Sequence, residues 1–186
     1  MSRIGRLPIE IAQGVTVDQN TEGEVIVTGP KGTLRQHVAS CIKIEKGEHN
    51  GKPAVILTRE NDSNEVKAKH GLYRALIANM VKGVSEGYTK LLTVAGIGFK
   101  LQVAGNKLTM NIGLSHPVVV EIPEGITVTL PQPLEILVAG ISKEKVGQFA
   151  ADIKAIKPVE PYHGYGIHYT NETVIRKEIK KGAKKK

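Results

Sequence analysis

Apolar residues recur along this chain with two spacings. Short runs alternate with polar residues at every second position, and two longer runs place apolar residues three and four apart. The first clear alternation covers residues 24–28, where Val25 and Val27 sit either side of Ile26; a shorter candidate lies at 15–17. Gly29-Pro30-Lys31-Gly32 supplies a turn in which Pro30 holds φ at about −65°. Residues 33–38 return, so 24–38 read as a β-hairpin. Further strands are expected at 42–45 and 54–58, joined by a polar loop at 47–53. Residues 1–12 read as irregular, broken by Gly5 and Pro8; Arg3 and Arg6 there are either phosphate contacts or solvated arginines.

A helix follows. Asp62 or Asn64 can cap it, with Glu65 three residues after Asp62 in capping-box spacing. Val66, Tyr73, Leu76, Ile77 and Met80 share one face, Gly71 weakens the helix, and Gly83 is expected to end it. The second half repeats the plan. Strands are predicted at 91–94, 99–103, 108–112, 118–122, 126–130 and 135–139, with Gly105-Asn106 as a hairpin turn. Ser142 caps a second helix whose core face is Val146, Phe149, Ala150, Ile153 and Ile156, stopped by Pro158.

Shifting the first half by 80 positions lays Ile56 on Ile136, Leu57 on Leu137, Val66 on Val146 and Leu76 on Ile156, with Leu34 on Leu114 and Val38 on Val118. These matches predict an α+β fold built by internal duplication, each copy a small, mostly antiparallel sheet packed against one helix. The expected divisions are 1–82, 83–170 and a basic tail at 171–186.

Beyond the second helix the first half offers no counterpart. Residues 157–169 read Lys-Pro-Val-Glu-Pro-Tyr-His-Gly-Tyr-Gly-Ile-His-Tyr and hold Tyr162, Tyr165 and Tyr169, three of the chain's 5 tyrosines. Two prolines and two glycines leave little room for a helix or a regular strand, so a shaped, ring-rich loop is expected. The tail carries Arg176, Lys177, Lys180, Lys181, Lys184, Lys185 and Lys186 against Glu172 and Glu178, which is +5 of the chain's net +8. Charge concentrated in this way favours an anionic partner, nucleic acid first and a membrane surface second. Lysines and arginines neutralise phosphates, the glycines Gly164 and Gly166 let the backbone approach the sugar–phosphate chain, and tyrosines stack on unpaired bases. The plainer alternatives are rings packed on the helix end and a tail that only solubilises.

Other chemistries find little support. Gly96-Ile97-Gly98 lacks the third glycine of a dinucleotide fingerprint, and no phosphate-binding Gly-rich loop with Lys-Ser/Thr occurs. The six histidines, including His163 and His168, lack metal-ligand spacing, and the single Cys41 excludes a disulfide within the chain. No metal, cofactor, catalytic set or small-molecule substrate is expected. An enzyme using Cys41 or a histidine remains the outlying reading. The N-terminus lacks an apolar signal region and no apolar run reaches the ~20 residues of a membrane span, so a cytoplasmic protein is expected.

Met1-Ser2-Arg3-Ile4-Gly5 with Pro8-Ile9, then Val27 to Gly32, then Val94-Ala95-Gly96-Ile97-Gly98-Phe99, and finally Pro161-Tyr162-x-Gly-x-Gly-Ile-x-Tyr169 resemble the family of bacterial large-subunit ribosomal protein six over essentially the whole chain. The resemblance implies a structural role on the ribosome, with 23S rRNA bound near the stalk base and the translation-factor-binding region beside neighbouring large-subunit proteins. It implies that the C-terminal copy does most of this binding. The candidate contacts read there are Lys157, Tyr162, His163, Gly164, Tyr165, Gly166, His168 and Tyr169 in the loop and Arg176, Lys177, Lys180, Lys181, Lys184 and Lys185 in the tail. Four positions depart from the family pattern. Val159 stands where proline is usual, His163 and Tyr165 where lysine is usual, and His168 where arginine or lysine is usual. Electrostatic attraction is then expected to come mainly from the tail, and shape and stacking from the loop. A free-standing regulatory RNA- or DNA-binding protein of the same fold is the competing reading.

Overall fold

The computed structural model describes residues 4–20, 23–49 and 51–178. The chain divides into two units, Met1–Tyr88 with Ile141–Lys143 and Thr89–Gly140 with Glu144–Lys186.

In the first unit the strands are β1 (Ile9–Glu10), β2 (Thr16–Gln19), β3 (Glu24–Gly29), β4 (Gly32–His37), β5 (Ile42–His49) and β6 (Lys52–Arg59), followed by helix α1 (Asn64–Ser85). They form two three-stranded sheets in the orders β1-β6-β5 and β2-β3-β4, antiparallel throughout. Alternation decides what enters the core: Val25 and Val27 from β3 and Val55 and Leu57 from β6 are buried. Helix α1 packs against both sheets and adds Val66, Ile77, Met80, Val81 and Val84. His70 joins this core, where its Nε2 donates to the Leu57 carbonyl at 2.9 Å.

Four sequence expectations for this unit change. Residues 1–12 are not irregular throughout, because Ile9 and Glu10 pair with Val55 and Ala54 as β1. The segment 47–53 is not a loop, because the β5–β6 ladder continues to His49↔Lys52. Gly51 takes the left-handed conformation the tight turn requires, at φ 74°. Ser63 caps α1, its Oγ accepting from the Val66 N–H, while Asp62 instead accepts from Arg59 Nε at 2.7 Å. Gly83 does not end the helix. It is buried within it, where a Cβ would run into the carbonyl oxygen of Ile141, so glycine is there for close approach.

The second unit holds β7 (Tyr88–Ala95), β8 (Lys100–Ala104), β9 (Lys107–Asn111), β10 (Val118–Glu121), β11 (Ile126–Thr129), β12 (Glu135–Gly140), α2 (Lys143–Ile156) and β13 (Gly166–Tyr169). Its sheets run β11-β12-β7-β13 and β10-β9-β8. The duplication is explicit in these orders: β7-β12-β11 repeats β1-β6-β5, β8-β9-β10 repeats β2-β3-β4, and α2 repeats α1. A single shift of 80 fits the helices, where Val66 and Val146 are both buried, but not the strands. In the sheets Val55 and Leu57 correspond to Ile136 and Val138, one residue out of step. The hairpin β3–β4 matches β9–β10, so Val25 and Val27 correspond to Leu108 and Met110, and the pairing of Leu34 with Leu114 fails. Loop lengths differ between the copies, so no constant shift can hold. Strand β13 is the second unit's addition. It pairs antiparallel with β7, which places a regular strand in the second half of the stretch expected to be a loop throughout.

Candidate nucleic-acid interface

Helix α2 ends at Ile156, and the chain turns back at once. Pro158 cannot continue the helix; it forms a parallel bridge with Ile167, whose N–H donates to the Lys157 carbonyl at 2.8 Å. Between these anchors the loop closes on itself, the Glu160 N–H donating to the Tyr165 carbonyl at 3.0 Å. Two glycines make that closure possible. Gly164 has φ 78°, and Gly166 has φ 141° with Pro158 O and Val159 Cα both 2.7 Å from where a Cβ would stand. Ile167 then fixes β13 in place. It is fully buried opposite Val94, with Tyr169 on the same face opposite Leu92. His168 points to the other face, opposite Thr93, and is half-buried.

The closed loop presents its rings outward. Tyr162 is 50% exposed and Tyr165 36%. The His163 ring stacks on Tyr165, with centroids 5.4 Å apart and planes inclined by 16°, and its Nδ1 lies 2.9 Å from Glu160 Oε1. The tail begins by folding back over this loop. The Lys177 N–H donates to the Pro161 carbonyl at 2.7 Å. The Arg176 guanidinium covers Gly164, with Nη2 3.0 Å from the position of an absent Cβ. Tyr162, His163, Tyr165, Arg176 and Lys177 therefore share one surface over the buried Gly164. Lys180, Lys181, Lys184 and Lys185 lie outside the described residues.

Besides the buried Gly166 and His168 on the other face of β13, two further candidates sit elsewhere. Lys157 turns inward, where its ammonium donates to the Ile112 carbonyl and lies 4.5 Å from the centroid of Phe99. Tyr169 sits between Lys90 and Lys154, whose ammonium groups are 5.5 and 5.1 Å from its ring centroid. Lys154 also bridges Glu172 at 2.6 Å. Sequence reading missed Lys90 and Lys154, because only the fold brings β7 and α2 to Tyr169. The alternating pattern of β7 is the one signal that could have placed Lys90 on the Leu92 face.

The Lys154 ammonium, followed by the Tyr169 N–H, holds the Glu172 carboxyl below the usual glutamate range. A depressed pKa contributes stability above the ordinary carboxylate range and loses it as pH falls through the lowered value. Acidification is accordingly expected to release the Tyr169–Glu172 turn before the buried strand β13. Amide NMR of Tyr169 and Ile167 between pH 6 and 2 checks this: Tyr169 shifts first, while Ile167 stays protected.

An exposed pair of rings, a guanidinium and a lysine on a glycine-shaped loop suit a single-stranded or irregular nucleic acid. Among the described residues no three metal-ligating side chains cluster, and no helix is long and apolar enough to cross a membrane. The family model described as Ribosomal protein L6 matches residues 11–87 and again 95–170. Relatives called large ribosomal subunit protein uL6 match end to end. The Thermus thermophilus protein is 49% identical over 185 residues, covering 100% of both chains. The Latilactobacillus sakei protein is 46% identical over 182 residues, covering 98% of this chain and 99% of its own. That from Clostridium botulinum is 48% identical over 186 residues, covering 99% and 100%.

The chain belongs to the ribosomal protein L6 family. The L6 model matches twice, once on each structural repeat, in accord with the duplication seen in the sheets. Its second match ends at Thr170, so it takes in the ring-rich loop and all of β13 but stops before the tail. The L6 family is one of ribosomal structural proteins, not of enzymes.

Proposed function

We propose that the chain is a structural constituent of the large ribosomal subunit, working in the cytoplasm in support of translation. It holds 23S rRNA near the stalk base and the translation-factor-binding region, beside neighbouring large-subunit proteins. In this reading residues 1–82 form the first repeat, 83–170 the repeat that carries the rRNA loop, and 171–186 the basic tail. The supporting observation is the shared surface of Tyr162, Tyr165, Arg176 and Lys177 on a loop fixed by Gly164 and Gly166. The rings offer faces to unpaired bases, and the cations offer charge to phosphates.

Two measurements test it. The tagged chain is expected to sediment with large subunits after a high-salt wash. Chemical footprinting is expected to show protections confined to the 23S rRNA at the stalk base. A chain that stays in the soluble fraction and binds unrelated RNA or DNA equally well would instead be a free-standing regulator. Protections elsewhere on 23S rRNA would keep the ribosomal role and overturn its location.

A further inference from the structure

We propose that Lys157 is a positioning residue: it anchors the root of the nucleic-acid loop to the second sheet of its own unit and does not meet phosphate. The proposal rests on the functional reading above for its RNA readout, and on geometry for its content.

Lys157 is the first residue after α2, and its carbonyl already holds the Ile167 N–H of β13. Its side chain runs the other way. The ammonium donates to the carbonyl of Ile112, just past the end of β9, and rests over the Phe99 ring at the start of β8. One half-buried lysine thus ties the turn before β8 and the end of β9 to the strand that carries the loop. The surroundings are shaped for this contact. A Cβ on Gly113 would stand 3.3 Å from Lys157 Nζ and 3.2 Å from the Phe99 ring, and one on Gly96 would collide with that ring. Phe99 is therefore seated between two glycines with the ammonium on its face. Of the three N–H donors of this ammonium, the Ile112 carbonyl takes one and the Phe99 ring face lies against the group, so its engagement is with the protein first.

Salt dependence separates an anchor from a phosphate contact. A phosphate contact contributes roughly 0.7–0.9 to the slope of log affinity against log salt, and an anchor contributes nothing. The experiment compares the full chain with Lys157→Met and Lys157→Arg, titrating a large-subunit rRNA fragment at several salt concentrations. Hydrogen exchange at the Ile167 amide is followed in parallel. Lys157→Met keeps the length of the stem and removes the charge. It is expected to lose roughly three- to tenfold in affinity at every salt concentration, with an unchanged slope and faster exchange at Ile167. Lys157→Arg, which can still donate to Ile112 and cover Phe99, is expected to restore both. Phe99→Leu, which changes no charge, is expected to reproduce the Lys157→Met pattern.

A slope lower by about 0.7–0.9 in Lys157→Met with unaltered exchange at Ile167 would overturn the proposal. So would unchanged affinity in that variant. If the unaltered chain binds no rRNA, the functional reading fails, and Ile167 exchange in Lys157→Met still decides the anchor.

Discussion

Replacing Gly166 by alanine is expected to lower the melting temperature by roughly 5–15 °C and rRNA affinity tenfold or more, without altering the salt slope. Three features of the site set this magnitude. At φ 141° the backbone is in a region that side-chain-bearing residues rarely adopt, at a cost of about 1–3 kcal/mol. The added methyl would also stand 2.7 Å from Pro158 O and from Val159 Cα. Both are backbone atoms and cannot rotate away, and such overpacking adds about 1–3 kcal/mol. Relief requires β13 to slide on β7 or residues 157–160 to move, and either breaks the bond from the Ile167 N–H to the Lys157 carbonyl. The two costs add to roughly 2–6 kcal/mol, and partial relief by that movement leaves roughly 2–4 kcal/mol, which gives the melting shift at about 2–4 °C per kcal/mol. Affinity falls because Tyr162 and Tyr165 lose the closed loop that presents their rings, while the tail keeps its charge and the slope with it. Gly147→Ala is the control. It lies within α2 with nothing within 4 Å of a new Cβ, so it is expected to be neutral or to stabilise by up to about 1 kcal/mol. Differential scanning calorimetry and an rRNA titration on both variants check the contrast; equal behaviour would mean the loop does not depend on the close approach at Gly166.

Much of this fold was legible because burial writes itself into the sequence with a fixed period. Val25 and Val27, or Val146, Phe149, Ala150 and Ile153, announce a strand face and a helix face wherever they occur. What failed to show was chemistry settled by distant partners or by one atom of geometry. The β5–β6 hairpin was shortened because its turn end is polar on both faces, although Asn50-Gly51 is a recognised hairpin signal. Ser63 and not Asp62 caps α1 because Arg59, adjacent through the β6 strand end, takes the aspartate. Strand β13 was hidden by its glycine and its short length; what makes it a strand is the edge of β7 and the pocket that buries Ile167. In the candidate site, residue types pointed to rings and charge, but not to direction. Lys157 and Arg176 are both cations flanking the loop, yet one turns inward onto Phe99 and the other outward over Gly164. Only the fold distinguishes them.

That division of labour leads to the largest effect on binding. A chain ending at Val174 retains the Lys154–Glu172 bridge and loses Arg176, Lys177 and the five lysines from 180 onward, seven cations in all. Each phosphate contact contributes about 0.7–0.9 to the salt slope, and the electrostatic part of affinity vanishes on extrapolation to 1 M salt. If four of the seven are engaged, the truncated chain is expected to lose about three decades of affinity at ~0.1 M salt, and its slope is expected to fall by roughly 3. The loop itself stays closed through Glu160 and Tyr165, so melting temperature should change little. Intermediate variants then apportion the loss. Arg176→Gln with Lys177→Gln isolates the two cations that the structure places beside Tyr162 and Tyr165, with a slope change of up to roughly 1.4–1.8. Stacking of the rings on bases is sequence-tolerant and nearly independent of salt, so Tyr162→Ala and Tyr165→Ala are expected to lower affinity at a constant slope. A truncated chain with an unchanged slope would make the tail a solvated passenger and leave the loop, with Lys90 and Lys154 around Tyr169, as the source of charge. A slope that collapses to near zero would assign the whole electrostatic attraction to residues after Val174.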